Sequence, residues 1–124
     1  MSSKVMLIED DSTMVMLLRT LLKYEGYEVA ALENDTDLQT ILDSIHQEQP
    51  AVILMDVHLR QVNGIDLLVA IRKDELVNST GVIMSSGSDM RQSCLEKGAD
   101  AFILKPYMPD ELMQHIKQVL ARRN

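Results

Sequence analysis

The sequence is poor in the residues that small cross-linked or metal-clamped folds rely on. It holds one cysteine, Cys94, so neither a disulfide framework nor a cysteine-built zinc site is available. That residue reads as a small buried apolar side chain. Tryptophan is absent and phenylalanine occurs once, and the 9 methionines scattered through apolar positions read as core filler, not as a metal-binding set. No apolar run approaches bilayer-spanning length, and the opening MSSKVMLIEDD lacks the plan of a secretory signal. A cytoplasmic protein without membrane contact is expected. Basic residues are outnumbered, 12 against 19, for a net charge of −7; this argues against holding nucleic acid by bulk electrostatics, and no direct nucleic-acid binding is expected.

Repeats, linkers and low-complexity tracts are also lacking, so the 124 residues are read as one domain spanning 1–124. Four short apolar runs are present: Val5–Ile8, Ala51–Met55, Val82–Met84 and Ala101–Leu104. None alternates, which predicts strands covered on both faces, as in a parallel sheet. A fifth, Tyr27–Leu32, carries Glu28 and reads as an edge strand. Helical patterns lie between them. Leu38, Ile41, Leu42 and Ile45 form one apolar stripe, and Leu112, Ile116, Val119 and Leu120 another. A helix over STMVMLLRTLLKYEG is expected to have Ser12 as N-cap and Gly26 as C-cap. Ile65–Arg72 and Asp89–Lys97, the latter stopped by Gly98, complete the set. Strand–helix repeated five times predicts an α/β flavodoxin-like doubly wound sheet of order 2-1-3-4-5, flanked by five helices.

In such a sheet the binding crevice lies beyond the C-terminal strand ends. The first strand is followed by Glu9, Asp10 and Asp11, the third by Asp56, the fourth by Ser85, Ser86 and Gly87, and the fifth by Lys105 and Pro106. Singly these read as a solvated turn, a cap and a surface charge. Together, at the ends of different buried strands, they predict a charged crevice. Clustered carboxylates repel and need a cation. Oxygen donors favour a hard ion, and magnesium takes few protein carboxylates while keeping waters. A phosphoryl group could fill the remaining positions, with Lys105 and a serine hydroxyl on its oxygens and Asp56 as nucleophile.

The segments MLIEDD (6–11), ILMDVHLRQVNG (53–64), VIMSSG (82–87) and GADAFILKPY (98–107) resemble the response-regulator receiver domains of two-component signalling, over Lys4 to Arg122. The resemblance implies phosphorylation of Asp56 by a histidine kinase or phosphotransfer protein. It makes Asp10 a direct magnesium ligand, Glu9 a ligand through water, and the backbone carbonyl of His58 a further ligand. Ser85 takes the switch-hydroxyl position, Lys105 the lysine position and Phe102 that of the switch aromatic. Asp11 is then a helix-start residue complementing the helix dipole, and the His58 imidazole is expected to face solvent or pack on its loop.

Three departures from the family pattern stand out. Arg60 replaces the usual proline, which predicts a less rigid loop. The segment from Ser85 to Lys105 is shorter than usual, and the shortage falls in the fourth helix or the loop before it. Phe102 lacks the common tyrosine hydroxyl, so it is expected to lie inward already without phosphate, with the signal carried by the loop after Ser85 and the fourth helix. The partner surface is expected between Asp89 and Leu120. The chain ends shortly after the fifth helix, so no output domain is expected within it; a stand-alone regulator and an excised receiver remain open, and the downstream partner is unspecified. Chemistry is expected to be limited to self-phosphorylation and self-dephosphorylation. Two alternatives remain: a magnesium-dependent phosphatase-like hydrolase of the haloacid-dehalogenase type, and a binding module independent of phosphorylation.

Overall fold

The computed structural model describes residues 3–32 and 37–123. Ten elements alternate along them: β1 (Lys4–Ile8), α1 (Ser12–Tyr24), β2 (Glu28–Leu32), α2 (Leu38–Glu48), β3 (Val52–Asp56), α3 (Gly64–Lys73), β4 (Gly81–Ser86), α4 (Arg91–Glu96), β5 (Ala101–Leu104) and α5 (Pro109–Arg123). The sheet is parallel, in the order β2-β1-β3-β4-β5. The glutamate-bearing strand does lie at an edge.

Side chains of successive strand residues point to opposite faces, and this divides the core in two. Val5, Leu7, Val52 and Leu54 pack with Leu18 and Ile116 under α1 and α5. Met6, Ile8, Ile53 and Met55 pack with α2, α3 and α4. Both faces are thus covered, which is why the runs show no alternation. At the other end of the sheet from the acidic cluster, Asp100 accepts from the Val82 amide and pairs with Arg72 at 2.9 Å and Arg123 at 2.8 Å.

Four boundaries differ from the sequence expectation, each for a local reason. Asp11, not Ser12, caps α1: its carboxylate accepts from the Thr13 and Met14 amides at 3.0 and 3.2 Å, and it sits where the helix dipole favours negative charge. The helix ends with Glu25 as its cap, and Gly26 follows at φ +95°, as left-handed exits favour. β4 runs on through both serines, because the ladder is made by main chain and does not exclude small polar side chains; Ser86 Oγ accepts from the Ser88 amide. α4 begins only at Arg91, whose amide is taken by the Asp89 side chain at 3.2 Å, a turn that precedes the helix.

Candidate functional site

Asp56 is the last residue of β3, and the sheet register sets Ser85 of β4 directly opposite it. The Ser85 carbonyl accepts from the Val57 amide at 2.9 Å, so the ladder is kept one residue past the carboxylate. Asp56 Oδ1 accepts from the His58 amide at 3.2 Å, and Oδ2 lies 3.2 Å from Lys105 Nζ. Lys105 follows β5 immediately and reaches the cluster from the far side of β4.

Its nearer partner is Glu9. Lys105 Nζ stands 2.7 Å from Glu9 Oε1, while Glu9 Oε2 accepts from the Asp10 amide at 2.9 Å. These three side chains are largely withdrawn from water, at 22% exposure for Lys105, 9% for Glu9 and 13% for Asp56. Burial works against the ammonium charge, but the Glu9 hydrogen bond and the fields of Glu9 and Asp56 outweigh it, and the Lys105 pKa is raised. The order of strand ends directs Lys105 to Asp56; the longer reach of a glutamate at position 9 has no signature along the chain.

Asp10 points another way. Its Oδ2 accepts from the Arg60 amide, and the Arg60 guanidinium reaches the Asp10 carbonyl at 3.4 Å. Arg60 thus gives the loop a main-chain hydrogen bond that proline, having no N–H to donate, would not make. Below the same loop, Gly64 packs against main chain. A Cβ on it would lie 2.8 Å from Val57 Cα and 2.9 Å from the Val57 carbonyl, and closer still to that of Asp56. The His58 side chain is exposed, as expected.

Among the described residues no three Asp, Glu, His or Cys side chains close into a metal cage. Magnesium does not require one: one or two carboxylates, a carbonyl and several waters suit its octahedral shell. The acidic side chains at this end of the sheet, Glu9 and Asp56 around Lys105 and Asp10 against the Arg60 loop, offer oxygen donors alone, the donor type that suits such an ion.

Phe102, 1% exposed, faces the core, with the Arg91 guanidinium 5.7 Å from its ring centre. Tyr107 carries no signal in the sequence, though it stands two residues past Lys105. It lines the cavity of Glu9, Asp56 and Ser85. Burial pushes its pKa up to about 12; Lys105 pulls it down, while Glu9 and Asp56 add to the rise.

The family profile described as "Response regulator receiver domain" matches residues 5–117. The transcriptional regulatory protein CpxR of Escherichia coli is 36% identical over 124 residues, 97% of this chain and 50% of CpxR. The DNA-binding response regulator MtrA of Mycobacterium tuberculosis is 29% identical over 126 residues, 100% of this chain and 53% of MtrA. The chain spans about half the length of these curated relatives. Among solved structures, a CheY-like response regulator receiver domain protein from Methanospirillum hungatei superposes with TM-score 0.87 at 28% identity, covering 99% of this chain and 97% of that one. The receiver domain of the sensor histidine kinase PA1611 from Pseudomonas aeruginosa, described with a magnesium ion in its active-site cleft, gives 0.84 at 21% identity, with 98% and 99% covered.

These relatives correct one expectation, that of a protein without direct nucleic-acid binding. MtrA is a DNA-binding protein by description and CpxR a transcriptional regulator. The net charge of 124 residues weighs only the segment it counts. No helix among the described residues is long and apolar enough to cross a membrane.

Proposed function

The chain belongs to the response regulator receiver domain family, and on that premise we propose that Asp56 accepts a phosphoryl group from a phosphohistidine of a histidine kinase or phosphotransfer protein. The donor's P–N bond breaks as an Asp56 carboxylate oxygen bonds phosphorus, and the imidazole leaves. Lys105 moves with the charge, from the carboxylate to a phosphoryl oxygen, and the Ser85 hydroxyl donates to another. Hydrolysis restores the resting state: a water oxygen bonds phosphorus, and Asp56 departs as a carboxylate with release of inorganic phosphate. The chain acts on itself alone. The hollow lined by Glu9, Asp56 and Ser85 has no room for a water molecule, against the roughly 300 Å³ at which small-molecule pockets begin, so it offers a foreign substrate no preformed pocket.

Asp10, Asp56 and the His58 carbonyl would hold magnesium, with Glu9 acting through water. Bound there, the ion neutralises charge on the carboxylates and phosphoryl oxygens. Phosphorylation then signals through the loop after Ser85 and α4, on a surface that includes exposed Leu95 and Leu104. Its proposed output is control of transcription in a cytoplasmic setting, in keeping with the description of MtrA as a DNA-binding response regulator and of CpxR as a transcriptional regulatory protein.

The observation that carries this reading is the single ammonium of Lys105 bridging Glu9 and Asp56, three groups from the ends of three different strands. Its test is intact mass after incubation with phosphoramidate and magnesium. The wild type gains one phosphoryl group and Asp56→Asn gains none. An unmodified wild type points to a phosphorylation-independent module, and continuing phosphate release from added phosphomonoesters to a hydrolase.

The division of acidic roles is separately testable. Asp11 spends its carboxylate on two helix amides, whereas Asp10, whose Oδ2 accepts from the Arg60 amide, is the carboxylate that the proposed reading assigns to the metal. Calorimetric titration with magnesium should show Asp10→Ala weakened about tenfold or more. Asp11→Ala should bind within about twofold of wild type and instead lose about 1 kcal/mol of stability with its cap. Equal losses of affinity would overturn the assignment.

A further inference from the structure

The three acidic side chains proposed to serve the metal do not face one point. Glu9 and Asp56 turn to Lys105, at 2.7 and 3.2 Å. Asp10 turns instead to the loop between β3 and α3, where its Oδ2 accepts from the Arg60 amide, 50 positions along the chain. The Arg60 guanidinium reaches the same residue, 3.4 Å from the Asp10 carbonyl. One residue thus brings both a main-chain donor and a full positive charge to Asp10.

We infer that Arg60 is a latch on Asp10: it holds the carboxylate away from the metal site, and loading the site frees the loop between β3 and α3. Among the described residues no three acidic groups already close on one point. To share an ion with Asp56, the Asp10 carboxylate therefore swings away from the loop and gives up the Arg60 amide, a charge-assisted bond. The guanidinium adds a second cost, because two cations beside one carboxylate repel. The coupling is reciprocal: whatever Arg60 takes from the affinity for the ion, the ion takes from the hold of Arg60 on Asp10. At low magnesium the loop is tied to the end of β1, and at high magnesium it is released. Arg60 sets the concentration at which that change occurs. It is a positioning residue, since it acts through Asp10.

Because the latch presupposes the proposed magnesium site, two measurements made without phosphorylation test it. In calorimetric titration with magnesium chloride, Arg60→Pro, which loses both the N–H and the charge, should bind about tenfold more tightly than wild type. Arg60→Ala keeps the N–H and loses only the charge, and should gain about threefold. Lys73→Ala removes an exposed charge at the far end of α3, about 14 Å from its start, and should stay within about 1.5-fold of wild type. In the wild type the Arg60 amide should exchange with deuterium slowly without magnesium and about fivefold faster or more at saturation. Should Arg60→Pro not fold, the Arg60→Ala affinity and the exchange rate decide. Wild-type affinity in the proline and alanine variants would overturn the latch and leave the metal site standing. Looser binding would do the same, by making Arg60 a support of the site, as would an equal gain in Lys73→Ala. An exchange rate that magnesium leaves unchanged in a wild type that binds it would also overturn the latch. Binding absent from the wild type and from every variant would defeat the metal site itself, and the latch with it.

Discussion

Gly64→Ala is expected to destabilise the fold by about 3 kcal/mol and to abolish most phosphoryl uptake at Asp56. The new methyl group would press on main chain, not on a side chain that can swing away: Val57 Cα at 2.8 Å, the Val57 carbonyl at 2.9 Å and the Asp56 carbonyl nearer still. Relief requires the start of α3 or the end of β3 to shift. The first breaks the Gly64 amide bond to the Val57 carbonyl, 2.8 Å long, and strains the Asn63 cap on Ile65 and Asp66. The second moves Asp56 away from Ser85 and Lys105. Denaturant unfolding gives the stability loss, and intact mass after phosphoramidate treatment gives the functional one. A midpoint and a phosphoryl yield both equal to wild type would mean that the loop yields freely there.

Lys105→Ala is expected to slow phosphorylation about a hundredfold, comparable to the loss of one charge-stabilising donor elsewhere, without abolishing it, because Asp56 and its magnesium donors persist. The larger effect falls on the transmission of the signal. The ammonium bridges the ends of β1 and β3 from its place after β5, so it links a phosphoryl group on Asp56 mechanically to the β5 side of the molecule. Without it, amide exchange in α4 should respond little to full phosphorylation, whereas in the wild type it should change clearly. A variant whose α4 responds as the wild type does would show that Ser85 alone transmits the signal. Glu9 and Asp56, left without their shared cation, should also repel and cost the resting fold some stability.

The architecture was readable from sequence because a parallel sheet covered on both faces writes itself as unbroken apolar runs. Val5–Ile8 and Ala101–Leu104 carry that signal almost to their ends. The acidic, hydroxyl and lysine positions were readable for a related reason: topology places every strand's C-terminal end on one side, so tracing each run to its end collects the crevice. What remained hidden depends on reach and packing. Whether Lys105 leans to Glu9 or Asp56 turns on one methylene, and the crowding at Gly64 on the path of a loop. The Ser12 cap failed because a stronger candidate stood immediately before it. The nucleic-acid expectation failed on a different ground, since charge counted over one segment does not describe a longer relative.

The short α4 bears on the resting state as well as on the activated one. Its six residues have no side-chain N-cap, and Cys94 is its one buried residue. Isolated helices need about 12 residues or more to persist in water, so α4 is held by its neighbours, among them Phe102 beneath Arg91. An element held this way is compliant, and compliance works in both directions. On the proposed role, a phosphoryl group would reshape the signalling face for little free energy, and thermal fluctuation would visit the same reshaped face, giving the unphosphorylated chain a basal output set by the softness of α4. For such a receiver, silence is a matter of degree, adjusted by every residue that steadies those one and a half turns.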